Sequence, residues 1–258
     1  MTAARNSTSL YALAATLLLT SHACAGWGNP TIVHHSHRLF SFDQTIAIDA
    51  DGFAHMAWKD WRDGPVTIRY AHDRGGAWET TSVYTNNGAT LPFLVITPDD
   101  VIHLFFNTGG NPNRSVVITK PVAGGSWSSQ TPIDEAEGSL MGSAAVDSNG
   151  GIYATYFNVR FDPNHGENYG RYKPLGAVWQ PRQTIKNAPA TGWPVGNKVT
   201  AHGNTFIIGY SNSELKPWYR VRDANGALGP ERKVAEIGTE PKIVVNPTNT
   251  NEWAARFG

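Results

Sequence analysis

The chain has one cysteine, Cys24, in 258 residues. A lone thiol cannot close a disulfide within the chain. Its place in the first 25 residues also takes it out of the mature protein as read below, leaving no thiol nucleophile. An excess of one charge is missing too. Lys+Arg and Asp+Glu are both 21, so the formal net charge is +0, and nothing in the balance signals nucleic-acid or membrane binding. No apolar stripe of 3.6-residue period follows residue 25, so helix should be scarce. Metal-ligand spacing is lacking as well. His34, His35 and His37 cluster early, but on a strand His35 and His37 share one face and His34 points the other way, with no Cys or carboxylate partner at ligand spacing. Neither a metal nor a cofactor is expected.

The first 25 residues read as a targeting segment. Arg5 is its lone charge, Leu10 to Thr20 is the apolar stretch, and SHACA (21–25) ends in a small-x-small site. This predicts cleavage after Ala25 and export to the periplasm or the extracellular space. The apolar stretch is too short to cross a bilayer. Ala23 before Cys24 suits a lipobox, but Ser21 and His22 do not, so lipidation of Cys24 is the less favoured route and the one that would tie the protein to a membrane.

What the chain does have is a repeat. AHDRGGAW (71–78), KPVAGGSW (120–127), YKPLGAVW (172–179) and VRDANGAL (221–228) close on Trp78, Trp127, Trp179 and Leu228, at spacings of 49, 52 and 49 residues. A second landmark keeps the same period: an apolar run, a turn rich in Asp, Asn and Gly, then an alternating run that reaches Trp58, Phe106, Tyr156, Tyr210 and Phe257. Those turn residues tolerate positive φ and bond their own backbone, which marks a β-hairpin. In the first unit the pattern predicts strand A over 45–49, B over 53–60, C over 67–72 and D over 78–85. Four strands in about 50 residues is a β-propeller blade. Blades are expected over 44–92, 93–142, 143–196 and 197–240, with a partial fifth over 241–258 within one domain, 26–258. Residues 30–36 would supply an outer strand to that fifth blade if the ring closes. A fragment of a six- or seven-bladed chain is the favoured alternative, because every earlier copy continues where this one stops.

The octapeptide resembles the Asp box, Ser-x-Asp-x-Gly-x-x-Trp, of sialidase-type propellers. Asp73, Gly75 and Trp78 match, Ala71 replaces Ser, and Asp223 and Gly226 keep part of the pattern. The repeat is also similar to tandem propeller repeats of secreted bacterial proteins. The resemblance implies that the box is structural and lies away from the functional face. Its Asp is expected to cap its own turn, and its Trp to be mostly buried between blades.

Function is then expected on the loops joining strands B to C and D to the next A. The first B–C loop carries Trp61, Arg62 and Asp63, and the second ends at Arg114. The third and longest, 158–171, carries Arg160, Asp162, His165, Glu167, Tyr169 and Arg171. Aromatic plates beside arginines and carboxylates suit sugar stacking and forked bonds to acidic groups. Three readings follow: a monomer that recognises extracellular glycan, an acidic polysaccharide above all; a polysaccharide lyase or sialidase-like hydrolase; or a structural, protein-binding propeller. The lyase reading draws on resemblance to ulvan lyases, with His165 or Tyr169 as base and Arg171 or Arg160 neutralising a uronate. The sialidase reading lacks the Arg-Ile-Pro that family carries near its start.

Overall fold

The computed structural model describes residues 33, 41–61, 65–134, 138–158, 167–186, 197–211, 216–236, 242–245 and 253–256. These form β-strands and turns. The first blade is β1 (Ser41–Ile48), β2 (Ala54–Asp60), β3 (Thr67–His72) and β4 (Glu79–Thr85). The second is β5 (Thr90–Thr97), β6 (Val101–Asn107), β7 (Ser115–Pro121) and β8 (Thr131–Pro132). The third is β9 (Ser139–Val146), β10 (Ile152–Asn158), β11 (Asn168–Lys173) and β12 (Gln183–Lys186). The fourth is β13 (Lys198–His202), β14 (Thr205–Ser211), β15 (Pro217–Arg222) and β16 (Arg232–Lys233). β17 (Lys242–Val245) and β18 (Trp253–Arg256) make a two-stranded sheet.

Every neighbouring pair within a sheet is antiparallel and consecutive in sequence. The first strands pack in succession, β1 on β5, β5 on β9, β9 on β13 and β13 on β17. That succession puts the first strand of each sheet innermost and stacks the sheets as propeller blades. Each interface between blades then becomes its own small core. Ala57, Ile68 and Tyr70 meet Leu104, Phe106 and Ile118 between blades one and two. Phe105 and Val117 meet Ile152 and Ala154 between blades two and three. Tyr153 meets Phe206 and Ile208 between blades three and four.

Short-range chemistry sets the hairpins. Asp49 Oδ1 accepts the N–H groups of Asp51 and Phe53 at 3.0 and 2.9 Å. Asp147 Oδ1 does the same for Asn149 and Gly151. The second blade has no glycine at its A–B turn, and Asp100 takes the left-handed conformation there, φ 57°, which Asp tolerates better than most residues.

The box departs from expectation in two ways. Asp223 caps its own turn, accepting from Asn225 and Ala227 at 3.0 and 2.8 Å. Asp73 instead reaches across to the start of β2 and accepts from Ala54 N–H at 2.8 Å, so it joins two turns. Trp78, Trp127 and Trp179 are half-buried rather than mostly buried. The reason is their place ahead of the short outer strand: Trp127 packs at 87° on Tyr70 of the preceding blade and Trp179 at 77° on Phe105, while the remaining surface of each ring meets solvent.

Of the expected closing strand 30–36 only Val33 is described, and its carbonyl accepts from Thr80 of β4 at 3.4 Å. The targeting segment, Cys24, His34, His35 and His37 lie outside the described residues.

Candidate functional site

The B–C and D–A loops leave the blades at one common end. There the described chain is braced against itself. Gly109, at φ 67°, lies so close to the Gly88–Ala89 backbone that a Cβ would collide with it; the second B–C loop is thereby pressed onto the first D–A loop. Tyr84 donates to Thr108 O at 3.2 Å, and Gly109 N–H to Asn113 Oδ1 at 3.0 Å.

Beneath this loop sits a buried polar network. Asn107, fully enclosed, donates to Ser115 Oγ and Ser139 O at 3.0 and 2.9 Å and accepts from Met141 N–H at 2.8 Å. Asp134, 3% exposed, accepts from Ser115 N–H at 2.9 Å, from Ser139 Oγ and from Arg114 Nε at 2.8 Å. A carboxylate enclosed to this degree is tolerable because each oxygen is bonded and one faces a guanidinium. Arg114 also donates through Nη2 to Asp134 O at 3.0 Å. Its side chain is 30% exposed, so the cation is held in a fixed pose at the loop end.

In the third blade Tyr169 donates its hydroxyl to Glu167. Its ring lies 5.6 Å from that of Tyr156, and the Arg182 guanidinium stands 4.5 Å from the Tyr169 centroid. Tyr169 is 5% exposed. Next to it Asn168 is 1% exposed, and neither side-chain nitrogen nor oxygen has a hydrogen bond among the described residues. Its cross-strand partner is Phe157, whereas in the second blade Asn107 and Ser115 face each other and satisfy one another. At the boundary with the fourth blade Glu231 accepts from Lys186 at 2.7 Å and from Tyr210 at 2.7 Å. Burial first, then this carboxylate, push the Tyr210 hydroxyl pKa well up.

The site residues expected from sequence fall into three groups. Trp61 is 56% exposed at the end of β2, with Lys59 Nζ 5.8 Å from its ring; it is the one exposed residue among the Trp, Tyr and Phe side chains described. Arg114 and Tyr169 are placed as above. Arg171 Nη1 donates to the Ile133 carbonyl of the second blade at 3.2 Å, while Nε and Nη2 donate to the Gln180 and Trp179 carbonyls of its own blade at 2.8 and 3.4 Å. Arg220 repeats this in the next blade on Gly229, Ile185 and Leu228. Arg62, Asp63, Arg160 and His165 lie outside the described residues, as does Asp162.

Sequence reading missed Asp134, Asn168 and Arg182. Asp134 sits in a D–A loop, and nothing in DEAEGS marks it as the enclosed carboxylate. Arg182 belongs to no repeat landmark. One signal was available: Glu167 and Tyr169 at i, i+2 on a strand edge share one face.

No protein-family model matches this sequence, and comparison with curated proteins finds no similar one. Solved structures do match. A Streptococcus pneumoniae sialidase superposes with a TM-score of 0.62 at 10% identity, over 83% of this chain and 56% of its own. An α-L-arabinanase of Penicillium chrysogenum, solved with arabinobiose, gives 0.55 at 14%, over 75% and 66%. An ulvan lyase gives 0.54 at 12%, over 78% and 60%. What they share with this chain is the β-propeller of four-stranded antiparallel blades. The chain spans 66% or less of each of these three proteins.

Proposed function

We propose that the loop face binds extracellular glycan, an acidic polysaccharide, in an exported monomeric protein. The observation that carries the reading is Trp61. A tryptophan left 56% exposed at the mouth of a braced loop face is an open apolar plate with a lysine beside it, and sugar rings present an apolar face to such plates. Cations surround the face: Lys59 beside Trp61, Arg114 fixed by Asp134 and Arg182 over Tyr169. Arg62, Asp63 and Arg160 belong to the same loops. Guanidinium groups held in one pose suit forked bonds to uronate or sulfate. Arg171, occupied by three carbonyls, we assign to the scaffold. The fold likeness to proteins named as a sialidase, an arabinanase and an ulvan lyase supports a carbohydrate partner.

A glycan array on the secreted protein tests the reading, followed by titration of the best acidic oligosaccharide into Trp61→Ala. We expect binding to weaken by about 2 kcal/mol, roughly thirtyfold, with the melting temperature unchanged because the side chain is exposed. An array without acidic hits, or equal affinity in the variant, sinks it.

The Glu167–Tyr169 pair favours cleavage as a second reading. A phenol whose proton is held by a carboxylate is set to act as base or nucleophile, with His165 in the same loop as the other candidate. Tyr169→Phe should abolish product formation while leaving oligosaccharide binding intact; turnover by the variant excludes Tyr169 from the chemistry.

A further inference from the structure

The ends of the blades away from the loop face differ among the three interfaces, and the difference is set by one cross-strand pair in each. The pairs are His55–His72, His103–Thr119 and Tyr153–Tyr172. Between blades one and two, His55, His72 and Tyr70 lie with ring centroids 5.8 to 6.0 Å apart, and Trp127 closes on Tyr70 at 5.2 Å. Between blades three and four, Tyr153 and Tyr172 meet Phe206 at 5.3 and 5.9 Å, and Arg222 stands 4.3 Å from the Tyr172 centroid. Both gaps are filled by rings. In the middle gap Thr119 occupies the place of His72 and Tyr172. A threonine cannot reach the opposing turn, and a pocket of about 560 Å³ is left.

The pocket lies within the range that small-molecule sites span, roughly 300–1,000 Å³. Its walls are mixed. Val101 and Val117 line it from the second blade and Trp179 from the third. Leu175 and Val178 of the covering turn line it too and are 43% and 83% exposed. Hydroxyls come from Thr97, Thr119 and Thr131. His103 Nε2 is 3.3 Å from Thr97 Oγ1, and its Nδ1 has no hydrogen bond among the described residues. Charge is nearly balanced: one carboxylate, Asp99, and one ammonium, Lys173, line it, and Arg171 is spent on backbone carbonyls. Burial first, then Lys173, hold the imidazole neutral, so it offers a donor or an acceptor without a charge.

We propose that this inter-blade pocket binds a neutral sugar unit, with Trp179 as the apolar plate and His103, Thr119 and Thr131 as its hydrogen-bonding partners. An acidic ligand would find no free guanidinium there, and a wholly apolar one would bury the hydroxyls unpaired. The site is separate from the loop face and holds whether or not that face binds acidic glycan.

The test is calorimetric titration of the full chain with arabinobiose and with cellobiose, on wild type, Trp61→Ala and Thr119→Tyr. Tyrosine at 119 should fill the gap as Tyr172 fills the next one. Wild type and Trp61→Ala should bind at least one disaccharide saturably, and Thr119→Tyr should bind it about tenfold more weakly or worse, a loss of about 1.4 kcal/mol. Acidic oligosaccharide binding should be unchanged in Thr119→Tyr and weakened roughly thirtyfold in Trp61→Ala, so the two sites fail independently. If Thr119→Tyr does not melt cooperatively, Thr119→Val replaces it: shape is kept, the hydroxyl is lost, and affinity should fall several-fold. Undiminished binding in the folded variant, or no saturable binding of either disaccharide to wild type, overturns the proposal.

Discussion

Replacing Asp134 with alanine probes the scaffold under the loop face. Three donors lose their acceptor. Ser115 N–H lies in a fully buried residue and is left with Ser139 Oγ at 3.2 Å; an unsatisfied buried donor costs about 1–3 kcal/mol, and this contact softens it. Ser139 Oγ keeps Ser115 Oγ at 2.8 Å and loses a charge-assisted bond, about 1 kcal/mol. Arg114 is 30% exposed, so water recovers most of its solvation and the lost pairing adds about 0–1 kcal/mol. The sum is about 2–5 kcal/mol. For a chain of this size that lowers the melting temperature by about 5–15 °C. Circular dichroism melts at neutral pH measure it. Asp134→Asn should cost less, since an amide oxygen still accepts from Ser115 while its NH2 confronts Arg114. A variant that melts within one degree or so of wild type would falsify the claim that Asp134 carries this network.

Three further outcomes are expected. Burial lowers the pKa of His103 from 6.5 to about 4, so the folded state binds fewer protons than the unfolded one between those values. Stability is therefore full above pH 6.5 and is lost as pH falls through the window, by ~3 kcal/mol at pH 4. Urea midpoints of His103→Gln should fall less over that range, and parallel curves would refute the assignment. Gly170→Ala would press a Cβ into the ring of Tyr153, which is fully buried. Overpacking should cost about 1–3 kcal/mol, and Tyr153→Phe should not restore it because the ring carbon is met as well as the hydroxyl; calorimetry of the double variant decides. Arg171→Ala should lower the melting temperature and leave acidic-glycan affinity alone, since its donors bind backbone; a binding loss at equal stability would return Arg171 to the site.

The blades were legible in sequence because their causes are short-range. Alternation, Asp–Gly turns and the recurring Trp are properties of neighbouring residues, so strand C was expected at Thr67–His72 and found there. The aromatic landmarks Tyr156 and Tyr210 recur at the repeat period and are buried. Trp61 was visible as a plate on a loop for the same reason. The rest depends on which blade meets which. Asp134 is a buried anchor because Ser139 and Arg114, five and twenty residues away, converge on it. Arg171 is a staple because the preceding blade's Ile133 carbonyl, 38 residues back, faces its guanidinium. Thr119 is an ordinary strand threonine in sequence; it opens a pocket because two stacked sheets leave a volume there that a side chain must fill. Local periodicity decides a strand and its turn, whereas a guanidinium's partner and a gap between sheets come into being only when the sheets stack.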